Sequence, residues 1–359
     1  MSLEPLLFGC QPAPPNPLQV KLLRGTFPGV LLGEFKRFSK SDLLEVSAFG
    51  QLADSLKLLK DWKDPPVSKG GWSWRLPWQA PPNYQAANLI SLGDTWLQGA
   101  IDQKLLQPLD IGQIPSWQKL APQWQKIGSS GGQIWGAPYR WGSTVLIYRK
   151  DRLQHSNIPL PTDWSDLWRP AFKGKVVLLN QQQEVIGLTL KHLGHAYNTD
   201  PQQVPELLSA LRQLHQQTLF YSSDRYISPL LTGDAWIAVG WSADVVGLLA
   251  RQPDLGIAIP SSGASLWADL WVQPNTAQVL PDSSPSIEQW IDFCWQNAAA
   301  TKISTSTNGA SPVFSNQPLP AGLPENLLYQ AFAKGEFLPN LNTAQQQQYQ
   351  KLWQDMRVS

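Results

Sequence analysis

Two residue pairs in the stretch Gly233–Pro274 offer recognisable chemistry: Trp241 with Asp244, and Trp267 with Asp269. A tryptophan face attracts cations through its quadrupole, and a nearby carboxylate adds charge-assisted hydrogen bonds. Two such pairs at the ends of neighbouring strands build a cage for an organic ammonium ion. The same residues also suit packing, since buried tryptophan is more often core than ligand and aspartate often caps a helix. On these four residues alone, packing outweighs the cage.

The elements that must hold them are short. Trp236–Val239 and Leu255–Ile259 are apolar runs, each long enough for a buried strand. Upstream, Val20–Leu23 is a first strand that ends in the loop Arg24–Pro28, and a helix is expected from Leu52 to Trp62. Leu89–Leu92 is another buried strand, followed by Gly93–Trp96 and a helix from Leu97 to Leu105. Val176–Leu179 precedes Asn180–Glu184 and a further helix, and Leu207, Leu211 and Leu214 mark one amphipathic face. Ser284 with Pro285 opens a helix bearing Ile287, Trp290, Ile291 and Cys294, and Thr343 with Gln346 reads as a capping box. Strand–loop–helix alternation of this kind argues for α/β layers with a largely parallel sheet, in which ligands gather at the carboxyl ends of strands. Loops 24–27, 94–96, 241–244 and 267–269 are therefore expected to face one cleft.

At 359 residues the chain exceeds one compact core and should form two lobes. A formal net charge of +1 lacks the basic excess that a nucleic-acid groove needs, so no nucleic-acid partner is expected. The run Leu6–Cys10, LLFGC, resembles the lipobox of a bacterial lipoprotein signal, in which the cysteine becomes lipid-modified. It departs from that pattern in lacking a basic leading segment and a full-length apolar run. Gln11–Pro17 then reads as an extended, proline-rich tether. Cys294, in a helical apolar context, reads as a buried free thiol, with a Cys10–Cys294 disulfide as the alternative.

Enzyme signatures are missing from the sequence: there is no G-x-S-x-G elbow, no phosphate loop and no dinucleotide glycine fingerprint. Ser129–Gly132 and Lys69–Gly71 read as turns, and His192 with His195 as a polar helix face rather than a metal site. No metal and no cofactor are expected.

The segment Gly136–Asp151, GAPYRWGSTVLIYRKD, resembles the G-x-P-Y-x-W-G-x-T segment of bacterial periplasmic polyamine-binding proteins. Val239–Asp244 resembles their M-G-W segment, Leu266–Asp269 their W-x-D segment, and Lys104–Asp110 the end of a helix in their first lobe. The resemblance runs in order from about Val20 to Phe314 and raises the cage above core packing. It implies a type II periplasmic-binding-protein fold, with two α/β lobes that close on a solute and deliver it to an ABC permease. By that likeness, residues 1–17 are a lipoprotein-like remnant and tether, 18–144 with 268–313 form one lobe, and 145–267 with 314–359 form the other. The implied ligand is a small amine of the putrescine or spermidine kind, bound by a monomer in the periplasm and anchored there through Cys10.

Position by position, the resemblance assigns Trp241 and Asp244 to a putrescine-type pattern, Trp267 and Asp269 to both polyamine types, and Glu184 to a carboxylate of the second lobe. Trp141 stands in the P-Y-x-W-G segment, and Trp96 stands near a family tyrosine. The first loop departs from the family, holding Arg24, Thr26 and Phe27 where a tryptophan, an acid and a tyrosine are usual; Gln181 replaces a further acid. Arg24 either binds an anionic or zwitterionic solute or pairs with Asp94 or Asp269.

Overall fold

The first strand, β1 (Leu18–Leu23), alternates buried and half-buried residues, so Leu18, Val20 and Leu22 face inward at the period of a pleated strand. In the computed structural model, residues 15–65, 86–277, 280, 282–321, 323, 325–339 and 341–358 are described. Cys10, the start of the tether and the Lys69–Gly71 turn lie outside the described residues. The longer strands that follow are β2 (Leu44–Phe49), β3 (Leu89–Gly93), β4 (Ala137–Arg149), β5 (Val176–Leu178), β6 (Thr218–Tyr221), β7 (Ile237–Trp241), β8 (Leu255–Ala258) and β9 (Ser265–Pro274). They join in the order β2-β1-β3-β9-β4-β7-β5-β6, with β8 on the far side of β4.

Strand β4 links two half-sheets. Its first part, Ala137–Ser143, pairs antiparallel with β9, and its second part, Thr144–Arg149, lies between β7 and β8. The change of partner falls between Ser143 and Thr144. Strands β1, β2 and β3 are mutually parallel on one side, and β5, β6 and β7 on the other. Such sheets need helices on their faces. These are α1 (Val30–Ser39), α2 (Leu52–Lys63), α3 (Asp94–Asp102), α4 (Gln182–His192), α5 (Leu207–Gln217), α6 (Ser242–Leu249), α7 (Ile287–Cys294), α8 (Asn297–Thr307), α9 (Glu325–Lys334) and α10 (Thr343–Asp355), among shorter turns of helix.

Local signals explain most boundaries. Helix α5 buries Leu207, Ala210, Leu211 and Leu214, the stripe expected of an amphipathic helix. Two caps sit beside their expected places. Helix α7 is capped by Ser286 with Gln289, and α10 by Asn342 with Gln345, one residue before the expected Thr343–Gln346 pair. Asparagine supplies a better cap than threonine, and the glutamine at the third helical position answers it equally well. Helix α3 starts at Asp94, three residues earlier than its apolar period suggests, because Asp94 and Thr95 favour a first turn.

Two hydrophobic cores result. One gathers Leu18, Leu31, Phe35, Leu89, Trp271 and Trp290; the other gathers Val145–Tyr148, Val176–Leu179, Ile237–Val239 and Trp353. Leu328 and Ala331 of α9 pack in the first core, although the sequence placed them with the second lobe. Only from Leu338 does the C-terminal segment join the second core. Much of the tryptophan content is spent on packing. Phe27 stacks on Trp290 with ring centres 5.0 Å apart, Tyr139 stacks on Trp271 at 4.3 Å, and Trp141 lies 5.5 Å from Trp124. Cys294 is a buried free thiol whose ionisation burial opposes.

Candidate functional site at the strand crossing

Where β4 changes partners, four elements converge: the end of β7, the start of α6, the start of α3 and the middle of β9. Antiparallel register sets Trp267 of β9 opposite Gly142 of β4, and Asp269 opposite Arg140. A Cβ built on Gly142 would stand 2.4 Å from the Trp267 ring and 2.7 Å from Ser242 Oγ, so only glycine lets that indole lie against the strand. Trp241, at the end of β7, meets Trp267 edge to face, with ring centres 6.4 Å apart and planes at 83°. The two tryptophans named from sequence therefore sit together, although 26 positions separate them.

Asp269 does not pair with Arg24. Its partner is Arg140, whose Nε donates to Asp269 Oδ2 at 2.5 Å, and both side chains are nearly buried. The Arg140 guanidinium carbon also lies 5.1 Å from the centre of the Trp267 ring, a cation–π distance. Arg24 is exposed and makes no ion pair among the described residues. Asp94, at the start of α3, accepts a hydrogen bond from the Ala268 backbone N–H at 3.1 Å. Burial pushes the Asp94 carboxyl up to about 7, and the neighbouring charges of Asp269 and Glu184 add to the rise.

Asp244, in the first turn of α6, is exposed at one edge of the site. Tyr226 Oη donates to Asp244 Oδ2 at 2.6 Å and accepts from the Trp241 backbone N–H at 3.1 Å, fixing carboxylate and indole together. The surrounding protein raises the Asp244 pKa by desolvation; the Tyr226 hydrogen bond and the Arg140 charge offset part of that rise, and Asp269 adds to it. Asp244, Asp269, Arg140 and the two indoles thus form one electrostatic unit suited to binding a charged organic group.

Residues 85–333 match the family model described as bacterial extracellular solute-binding protein. The chain belongs to that family. It is 24% identical over 269 residues to the spermidine/putrescine-binding periplasmic protein of Salmonella typhimurium, covering 69% of this chain and 72% of the relative. Identity is 28% over 246 residues to the putrescine/cadaverine-binding protein of Pseudomonas aeruginosa, covering 63% of this chain and 67% of that one. Among solved structures, a spermidine/putrescine ABC transporter substrate-binding protein from Streptococcus pneumoniae superimposes with a TM-score of 0.77 at 19% identity, over 96% of this chain and 99% of its own. The fold is that of the two-lobed periplasmic binding proteins, and the matched family is one of extracellular solute-binding proteins.

Within this solute-binding protein, the other residues singled out from sequence have different places. Phe27 is built into the Trp271–Trp290 aromatic core, and Trp141 packs between Trp124 and Phe332. Trp96 is half-buried on α3 against the first core. His192 stacks on Trp168 with ring centres 3.9 Å apart and shares a hydrogen bond with Ser165. Two side chains of this cluster were not singled out. Arg140 becomes visible once β4 and β9 are aligned antiparallel, because it then faces Asp269; Tyr226 lies in a loop with no periodic signal.

Glu184, expected to hold ligand, is engaged by the protein. Its carboxylate accepts from Tyr197 Oη at 2.9 Å and Ser265 Oγ at 2.5 Å, and the side chain is buried against the crossing strands. Burial raises it to about 7, and the hydroxyls of Ser265, Tyr197 and Thr144 offset only part of the rise. Between about pH 4.5 and 7 the folded chain therefore holds a proton that the unfolded chain has lost, so Glu184 makes stability fall as pH rises through that window. Glu184→Gln keeps the shape and the hydroxyl contacts of the neutral acid. It is expected to be close to neutral at pH 4.5 and to stabilise the protein by about 2–3 kcal/mol at pH 8. Urea unfolding of both proteins at these pH values checks this; parallel pH dependences would contradict it.

Proposed function

We propose that this protein captures a small organic amine of the putrescine kind in the cleft at the strand crossing and hands it to an ABC permease. The observation that carries this reading is the joint placement of Asp244, Trp241 and Trp267, an acid hydrogen-bonded in place beside two perpendicular indoles. The relatives' names support the same ligand class. Charge balance favours a cation too: Arg140 compensates Asp269, whereas Asp244 faces the solvent edge with, among the described residues, a tyrosine as its hydrogen-bond partner.

The proposed lobes follow the two cores, about 18–143 with 266–332 for the first and 144–265 with 333–358 for the second. They bend toward one another about the Ser143–Thr144 change of partner when solute binds. We place the protein in the periplasm as a monomer, held to the membrane through a lipid on Cys10; Cys10→Ser should then move it from the membrane to the soluble fraction.

Titration of the purified protein with mono-, di- and polyamines is the test of function. Binding should change tryptophan fluorescence, and Trp241→Ala should weaken affinity by about 1–2 kcal/mol. If no amine binds, or if amines bind equally well to the variant, the proposal fails.

A further inference from the structure

Arg140 stands where a bound cation would stand. Its guanidinium lies over the Trp267 face at 5.1 Å and against Asp269 Oδ2 at 2.5 Å, which are the two contacts an organic ammonium seeks. The position is built into the fold. Arg140 and Asp269 are register partners on β4 and β9, Gly142 opens the room that the indole needs, and the side chain is only 9% exposed. One acid–indole pair of the site is thus already filled by the chain itself. The other pair, Asp244 with Trp241, has no cationic side chain bonded to it: among the described residues Asp244 takes part in no ion pair, its hydrogen-bond donor is the neutral Tyr226, and the Arg140 charge reaches it only without direct contact.

We propose that Arg140 is a tethered cation that excludes a second ammonium group. On this view the cleft selects solutes with one ammonium head, held by Asp244 and Trp241, and a carboxylate or other acceptor at the far end, facing Arg140. The inference rests on the amine reading above and narrows it from diamines to ω-amino acids. Arg140 donates through Nε to Asp269, and Nη1 approaches the Thr307 carbonyl oxygen only at 3.5 Å. Its remaining N–H groups meet no acceptor among the described residues. A guanidinium presents a fork of donors matched to a carboxylate, and one used on a single edge retains donors for a second anion. A diamine of similar length would instead bring its second ammonium against a partly desolvated like charge, where screening by salt is weak.

The experiment compares three probes of similar length by calorimetry on the full chain: putrescine, n-butylamine and 4-aminobutyrate. The wild type should bind 4-aminobutyrate most tightly and putrescine most weakly, with about a tenfold or larger gap between them. Arg140→Gln frees Asp269 and should reverse the order, tightening putrescine and weakening 4-aminobutyrate, each by about tenfold. Circular dichroism reports whether the variant folds; if it does not, the wild-type order alone decides. A wild type that prefers putrescine overturns this inference and leaves the amine function standing. Failure of all three probes to bind overturns both.

Discussion

Asp269→Asn is expected to destabilise the protein by about 3–5 kcal/mol, because it leaves the Arg140 guanidinium charged, buried and without its counter-ion. Arg140 is 9% exposed and Asp269 6%, so neither group recovers full hydration when its partner is lost. Asparagine still offers an oxygen to Nε, but a neutral amide returns little of the Coulomb energy that offset desolvation. Asp244 is the other acid whose charge reaches Arg140, and because its pKa is raised its help should be smallest in acid. The companion variant sharpens the measurement. Replacing both partners, Arg140→Met with Asp269→Leu, removes the charge together with its counter-charge and should recover most of the loss. Urea unfolding of the two variants and the wild type at pH 6 reads the outcome. A single variant within about 1 kcal/mol of the wild type would show that Arg140 finds another home, and the fixed-cation picture would go with it.

The sequence shows more of the scaffold than of the site, for a physical reason. Apolar runs such as Ile237–Val239 and Leu255–Ile257 need only local periodicity to be recognised, and they are strands in the structure. Trp241 and Trp267 were legible as a pair because each precedes an aspartate at the edge of such a run, and the fold brings them to 6.4 Å. Phe27 and Trp141 show where this stops working. An aromatic in a loop or strand packs in a core or stacks on a ligand with the same side chain, and only the three-dimensional neighbours, Trp290 for one and Trp124 for the other, decide which. Glu184 is the same problem for a charge: nothing in Gln181–Val185 reveals that Tyr197 and Ser265 take both its oxygens. Arg140 was hidden differently. It is one variable letter inside a recognisable motif, and its meaning lies in cross-strand register with Asp269, a relation that no single stretch contains.

Asp244→Asn should separate binding from folding, the reverse of what Asp269→Asn does. Asp244 sits at the exposed edge of the site, and its protein contact is the 2.6 Å hydrogen bond that Tyr226 Oη donates. An asparagine oxygen accepts that bond equally well, so the Tyr226 bridge to the Trp241 N–H survives and the indole keeps its place. Stability should therefore change by less than about 1 kcal/mol. Affinity for an amine should fall by about 2–5 kcal/mol, since the ammonium loses its counter-charge while remaining partly desolvated against Trp241. The pH dependence gives a second readout with a definite sign. The Asp244 pKa is raised, chiefly by desolvation, while an alkylammonium stays charged through neutral pH. Wild-type affinity should then weaken as pH falls through that raised value, because protonation removes the attraction, and Asp244→Asn should lose this part of the dependence. Calorimetry on both proteins at pH 5 and pH 8 makes the comparison. If the variant binds amines as tightly as the wild type at pH 8, the ammonium is held elsewhere in the cleft and Asp244 serves only to anchor Tyr226.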